Sequence, residues 1–140
     1  MEVTITRDDV MHALDVERLT VGSWEQDGCA FCAVGSVLRQ KTGVKLLKDR
    51  DEESFDSACR NMTRGQYCDD QGLPQALAAG NWLGALSIKW EQLGTKKASE
   101  LGRGCVEELE EDEIEELRPA IKQWALDNLP EGVIFEGGVV

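Results

Sequence analysis

No other stretch of the chain is as continuously apolar as Gly28–Gly43, GCAFCAVGSVLRQKTG. Wound at 3.6 residues per turn, Ala30, Phe31, Cys32, Ala33, Val34, Val37 and Leu38 cover every side of a helix. A helix that is apolar all round belongs in an interior. The run therefore predicts a buried helix over about 30–41. Gly43 closes it after Arg39 and Lys41, two cations suited to the negative helix end. Gly35 lies inside this helix, where glycine costs about 1 kcal/mol relative to alanine. Its presence predicts that another backbone or a large side chain comes close at that point.

The remaining segments must supply the walls around this helix. Thr6 has the character of an N-cap, with Asp9 three residues on, and Asp8 and Asp9 stand in the first turn. Val10, Ala13 and Leu14 continue at helical spacing, so a helix is expected from Arg7 to about Leu19. Residues 21–28 read as a loop anchored by Trp24. Residues 44–47 read as an extended connection or a short strand. Asp51–Thr63 predicts a third helix with Phe55, Cys59 and Met62 on one face. Gln66–Gly72 reads as a polar loop, and Pro74 opens a short helix through Ala79, ended by Gly80.

Asn81 can cap a helix to Leu93 with a stripe of Trp82, Leu86, Trp90 and Leu93, after which Thr95–Gly104 reads as a flexible loop. Arg118–Leu129 forms the last helix, with Pro119 in its first turn and Pro130 as its stop. Glu2–Thr6 and Gly132–Val140 are β-prone and able to pair. The expected fold is mainly α: a single-domain bundle over residues 1–140, with about five helices around the buried central one and minor β structure at the termini.

A chain of 140 residues can close one core without metal or disulfide staples. No stretch approaches the 18 uncharged apolar residues of a membrane span. The first ten residues, MEVTITRDDV, lack the basic and then apolar segments of a secretory leader. A cytoplasmic protein with no membrane partner is expected. Its five cysteines are an odd number and cannot all pair within the chain.

Four constellations could carry chemistry. Cys29-x-x-Cys32 is half of a zinc site, and Cys59 with Cys68 could complete it. The second pair lacks the short spacing of a zinc knuckle, and the first sits at the start of an apolar run. Buried thiols, with no metal or other cofactor, are the simpler expectation. A low-pKa thiol at Cys29 would suit redox chemistry, but that motif usually follows a strand in a βαβ pattern, which is absent from this sequence. His12 is the sole histidine, so any Cys–His or Ser–His dyad would have to use it.

The fourth is charge. Eight of the ten residues in 107–116 are acidic: Glu107, Glu108, Glu110, Glu111, Asp112, Glu113, Glu115 and Glu116. Without them the net charge of −12 would fall to −4. Such a field repels nucleic acid and favours basic proteins, including those that bind nucleic acid themselves. Carboxylates on successive helical turns would imitate a phosphate backbone. A solvated face is the bland alternative.

The segment Trp24–Leu38 is similar to one in small, uncharacterised phage and bacterial proteins, in which an aromatic residue precedes C-A-(L/V)-G-x-(L/V) at a helix start. Phe31, Cys32, Ala33, Val34, Gly35 and Val37 carry the resemblance. The preceding helix and the terminal Leu129–Pro130 step are also similar. The resemblance implies a phage or mobile-element context and no assigned activity, and the acidic run is not part of the shared pattern.

These features lead to the expectation of a non-enzymatic, acidic protein-binding module. Its role would be that of a phage-encoded nucleic-acid mimic that inhibits a basic, nucleic-acid-binding host defence complex such as CRISPR, with residues 107–116 as the contact. The alternative is a small zinc-binding or thiol-dependent enzyme using Cys29, Cys32, Cys59 and Cys68.

Overall fold

The computed structural model describes residues 2–26, 30–43, 52–63 and 67–138, with only the backbone described for 52–54 and 67–71. Residues 44–47, expected as an extended connection or a short strand, lie outside the described residues. The elements are β1 (Glu2–Thr6), α1 (Arg7–Val16), β2 (Glu25–Gln26), β3 (Ala30–Phe31), α2 (Ala33–Thr42), α3 (Glu52–Thr63) and α4 (Tyr67–Ala78). They continue with α5 (Trp82–Glu100), a 3-10 turn (Val106–Glu108), α6 (Glu111–Glu115), α7 (Arg118–Asn128) and β4 (Val133–Gly138). The protein is mainly helical with short strands at its ends, as the sequence predicts. Most of the buried apolar side chains among the described residues form one hydrophobic cluster, drawn from most of the elements.

β1 and β4 pair antiparallel, with Val3 opposite Gly137 and Ile5 opposite Phe135. β1 runs directly into α1, because Thr6 ends the strand and caps the helix. Thr6 Oγ1 accepts the Asp9 N–H at 3.2 Å, and Asp9 Oδ2 accepts the Thr6 N–H at 2.8 Å. This reciprocal pair satisfies two backbone donors that the first turn would otherwise strand. Burial alone would raise the Asp9 carboxyl, but the Thr6 N–H and the Lys41 ammonium outweigh it and hold the group below its ordinary range.

The central helix begins three residues later than expected, at Ala33 rather than Ala30. Ala30 and Phe31 are taken up by backbone pairing instead. They pair with Glu25–Gln26, while the Phe31 N–H donates to Arg18 O and its carbonyl accepts the Thr20 N–H, both at 2.9 Å. With both sides of the Phe31 backbone bonded, helix starts only beyond Cys32. Cys32 is the N-cap, its Sγ accepting the Gly35 N–H at 3.2 Å. From Ala33 to Leu38 every residue is buried, and α2 packs against α1, α3 and α5.

Gly35 does sit at a close approach. A Cβ placed there would lie 2.5 Å from the Trp24 carbonyl oxygen. That carbonyl is held in place by the Cys32 N–H at 3.0 Å. The loop carrying Trp24 thus rests its backbone on the first turn of α2.

Two expected loops are helical. Residues 67–71 belong to α4, which is broken at Gly72 by a left-handed φ of 78°. α5 runs through the supposed loop to Glu100, burying Leu83, Leu86, Trp90, Gly94 and Ala98 along one stripe. Gly94 and Ala98 keep the period with small residues, which hides it from a reading based on large apolar side chains. A Cβ at Gly94 would lie 2.5 Å from Val21 Cγ1, so the glycine makes room for Val21. Trp90 Nε1 donates to Thr20 O at 2.8 Å, tying the same loop to α5. Asn81 caps the helix as expected, accepting the Gly84 N–H at 3.1 Å, while its amide nitrogen donates to Thr63 O at the end of α3.

The C-terminus of α5 sets the path of the chain into the acidic segment. Gly102 adopts φ 71°, its N–H donates to Ser99 O at 3.1 Å, and the Arg103 N–H donates to Ala98 O at 2.8 Å. These two bonds make a Schellman closure, which turns the chain sharply and fixes Arg103 beside the helix end.

Candidate partner-binding surface

The acidic segment begins just beyond that closure. It is not the continuous helical array that the sequence predicts. It consists of the 3-10 turn Val106–Glu108, an extended Leu109, and the one-and-a-half-turn helix α6. The apolar residues dictate the break. In a continuous helix, positions 109 and 114 would diverge by about 140° around the axis, so Leu109 and Ile114 could not both face the core. With Leu109 extended, Leu109, Ile114 and Leu117 all reach it, at 7%, 8% and 8% exposure.

The carboxylates are left outside. Glu107, Glu108, Glu110, Glu111, Asp112, Glu115 and Glu116 are exposed and Glu113 is half-buried. Fully burying an aliphatic side chain of the leucine or isoleucine kind contributes about 1.5–3 kcal/mol, whereas exposed ion pairs contribute little because solvent and salt screen them. The three apolar anchors therefore hold the segment, and the ion pairs trim its direction.

Four of the eight carboxylates are paired with cations from several parts of the fold. Glu111 meets Arg18 beyond α1 at 3.3 Å, Glu113 meets Arg103 at 2.7 Å, Glu115 meets Arg118 at the start of α7 at 2.5 Å, and Glu116 meets Lys97 on α5. Glu113 Oε1 also accepts the Glu110 N–H at 2.7 Å, closing the first turn of α6. That backbone bond, seconded by Arg103, holds the Glu113 carboxyl below the usual range, and Arg118 does the same for Glu115.

Among the described residues no cation pairs with Glu107, Glu108, Glu110 or Asp112. Glu108 accepts the Gly104 N–H at 2.8 Å, and Glu107 takes a hydrogen bond from the Cys105 thiol. Eight carboxylates against four partner cations leave the surface four negative charges in excess. The arrangement offers negative charge on a fixed backbone, and the groups with no cation of their own cluster at 107–112.

The cysteine constellation is described only in part. Cys29 lies outside the described residues, and Cys68 is described only as backbone of α4. Cys32 and Cys59 are both buried in the one hydrophobic cluster. Burial pushes the Cys32 thiol up to about 12 and the Cys59 thiol well above its ordinary value. Both are therefore neutral near pH 7, and the Cys32 sulfur is already engaged as a helix cap. Cys105 is exposed, and its hydrogen bond to Glu107 raises its pKa as well. Metal and thiolate chemistry need a deprotonated sulfur, which these surroundings disfavour. Among the described residues no three His, Cys, Asp or Glu side chains converge as metal ligands. His12 is exposed on α1, with Asp15 as its acidic neighbour.

An open depression of about 520 Å³ runs along the outer side of α5, lined by Ile88, Gln92, Thr95 and Ser99 with charged Glu91, Lys96 and Glu100.

No known protein family, curated protein or solved structure matches this chain. The comparisons lend nothing to the expected likeness of the Phe31–Val37 motif to small phage and bacterial proteins. In the structure that motif is a strand end, a cap and a helix start, all parts of the core. No helix among the described residues is long and apolar enough to cross a membrane.

Sequence reasoning located the acidic residues but missed Arg18, Lys97 and Arg103 as their partners. The Glu115–Arg118 pair has a helical spacing that could have signalled it. The other three depend on tertiary folding and leave no local trace.

Proposed function

We propose that the protein is a non-enzymatic acidic binding module that docks a basic, nucleic-acid-binding protein through residues 107–116. The observation that carries this reading is the fixed presentation of charge. Seven exposed carboxylates stand on a segment whose Leu109, Ile114 and Leu117 are sunk in the core. A cleft built for phosphates presents lysine and arginine to regularly spaced anions, and a rigid carboxylate set meets it with less ordering cost than a loose acidic tail. Glu107, Glu108, Glu110 and Asp112 make the contact in this reading. Glu111, Glu113, Glu115 and Glu116 are taken up by ion pairs that trim the direction of the segment. The net charge of −12 opposes direct nucleic-acid binding. The Phe31–Val37 resemblance adds a phage context and no activity; inhibition of a host defence complex such as CRISPR is the role that the charge of −12, the acidic run and the small size suggest within that context.

Calorimetry against a panel of basic nucleic-acid-binding proteins and effector complexes tests the proposal. A true partner binds with an affinity that drops steeply with salt and is displaced by its own nucleic acid. Replacing Glu107, Glu108 and Glu110 by Gln and Asp112 by Asn abolishes the binding while the fold survives. Binding that ignores both salt and these substitutions would refute the assignment.

A further inference from the structure

We draw no further inference here: the strongest candidate, the open depression along the outer side of α5 lined by Ile88, Gln92, Thr95 and Ser99, is an unpartnered surface on which nothing in the structure shows what covers it.

Discussion

Replacing Gly35 by Ala tests the packing of the fold's centre, because two effects of known size oppose each other there. In an unhindered helix the change stabilises by about 1 kcal/mol. Here the new methyl would stand 2.5 Å from Trp24 O, where ordinary contact begins at 3.4 Å, so about 0.9 Å must be found. The carbonyl cannot swing away freely, since the Cys32 N–H holds it at 3.0 Å and Cys32 in turn caps α2. Overpacking of this kind costs about 1–3 kcal/mol. With backbone on both sides of the clash the upper part of that range applies, which leaves a net loss of about 1–2 kcal/mol. Equilibrium urea denaturation followed by tryptophan fluorescence reads this directly, provided the slope with denaturant is unchanged. Gly94→Ala is the companion measurement, because its obstacle is the Val21 side chain and not backbone. Combined with Val21→Ala it should lose its clash penalty, so that in a double-mutant cycle the pair destabilises by less than the sum of the two single changes. A Gly35→Ala protein as stable as the parent, or more stable, would refute the close approach of the Trp24 loop.

Ile114→Ala is expected to destabilise by about 2–4 kcal/mol, as for other buried aliphatic truncations, and to release the acidic segment in hydrogen exchange, whereas Glu116→Gln should barely move the denaturation midpoint. Trp90→Phe leaves the buried Thr20 carbonyl without its donor and should cost about 1–3 kcal/mol by the same denaturation assay. Asp9, Glu113 and Glu115 all have carboxyls lowered by folding, from ordinary values of 3.8 and 4.5. Their stabilisation is complete above those unfolded values and is lost as pH falls through the lower folded ones. Urea midpoints should therefore hold above about pH 5 and decline on acidification below it, and a flat profile down to about pH 3 would contradict the pairing. Alkylation of the native protein at mildly alkaline pH, read by peptide mass spectrometry, should label Cys105 well before Cys32 and Cys59.

Most of the helical framework was legible locally. The Thr6–Asp9 box, the Asn81 cap, the Pro119 start and the Gly43 and Gly80 stops are interactions between near neighbours, so their residue types announce them. Gly35 was legible for a different reason: a glycine in an apolar helix needs an explanation, and close backbone approach supplies it. The start of α2 was misread because apolarity alone cannot distinguish a buried strand end from a buried helix turn. What decides Ala30 and Phe31 is pairing with Arg18, Thr20 and Glu25–Gln26. The C-terminal half of α5 was missed because Gly94 and Ala98 bury small side chains, and only the nearby Val21 shows why. The acidic segment was recognised by composition, yet its shape is set by Leu109, Ile114 and Leu117, whose spacing fits no single helix. Its ion pairs with Arg18, Lys97 and Arg103 depend on how the chain folds back on itself, beyond the reach of any local pattern.

The claim that residues 107–116 form a contact for a basic protein is tested most directly by affinity purification from the protein's native cells, comparing wild type with the Glu107→Gln, Glu108→Gln, Glu110→Gln, Asp112→Asn variant. A basic, nucleic-acid-binding protein is expected to co-purify with wild type, to leave at elevated salt, and to be absent from the variant. Recovery of the same proteins in the same amounts from wild type and variant would contradict that claim.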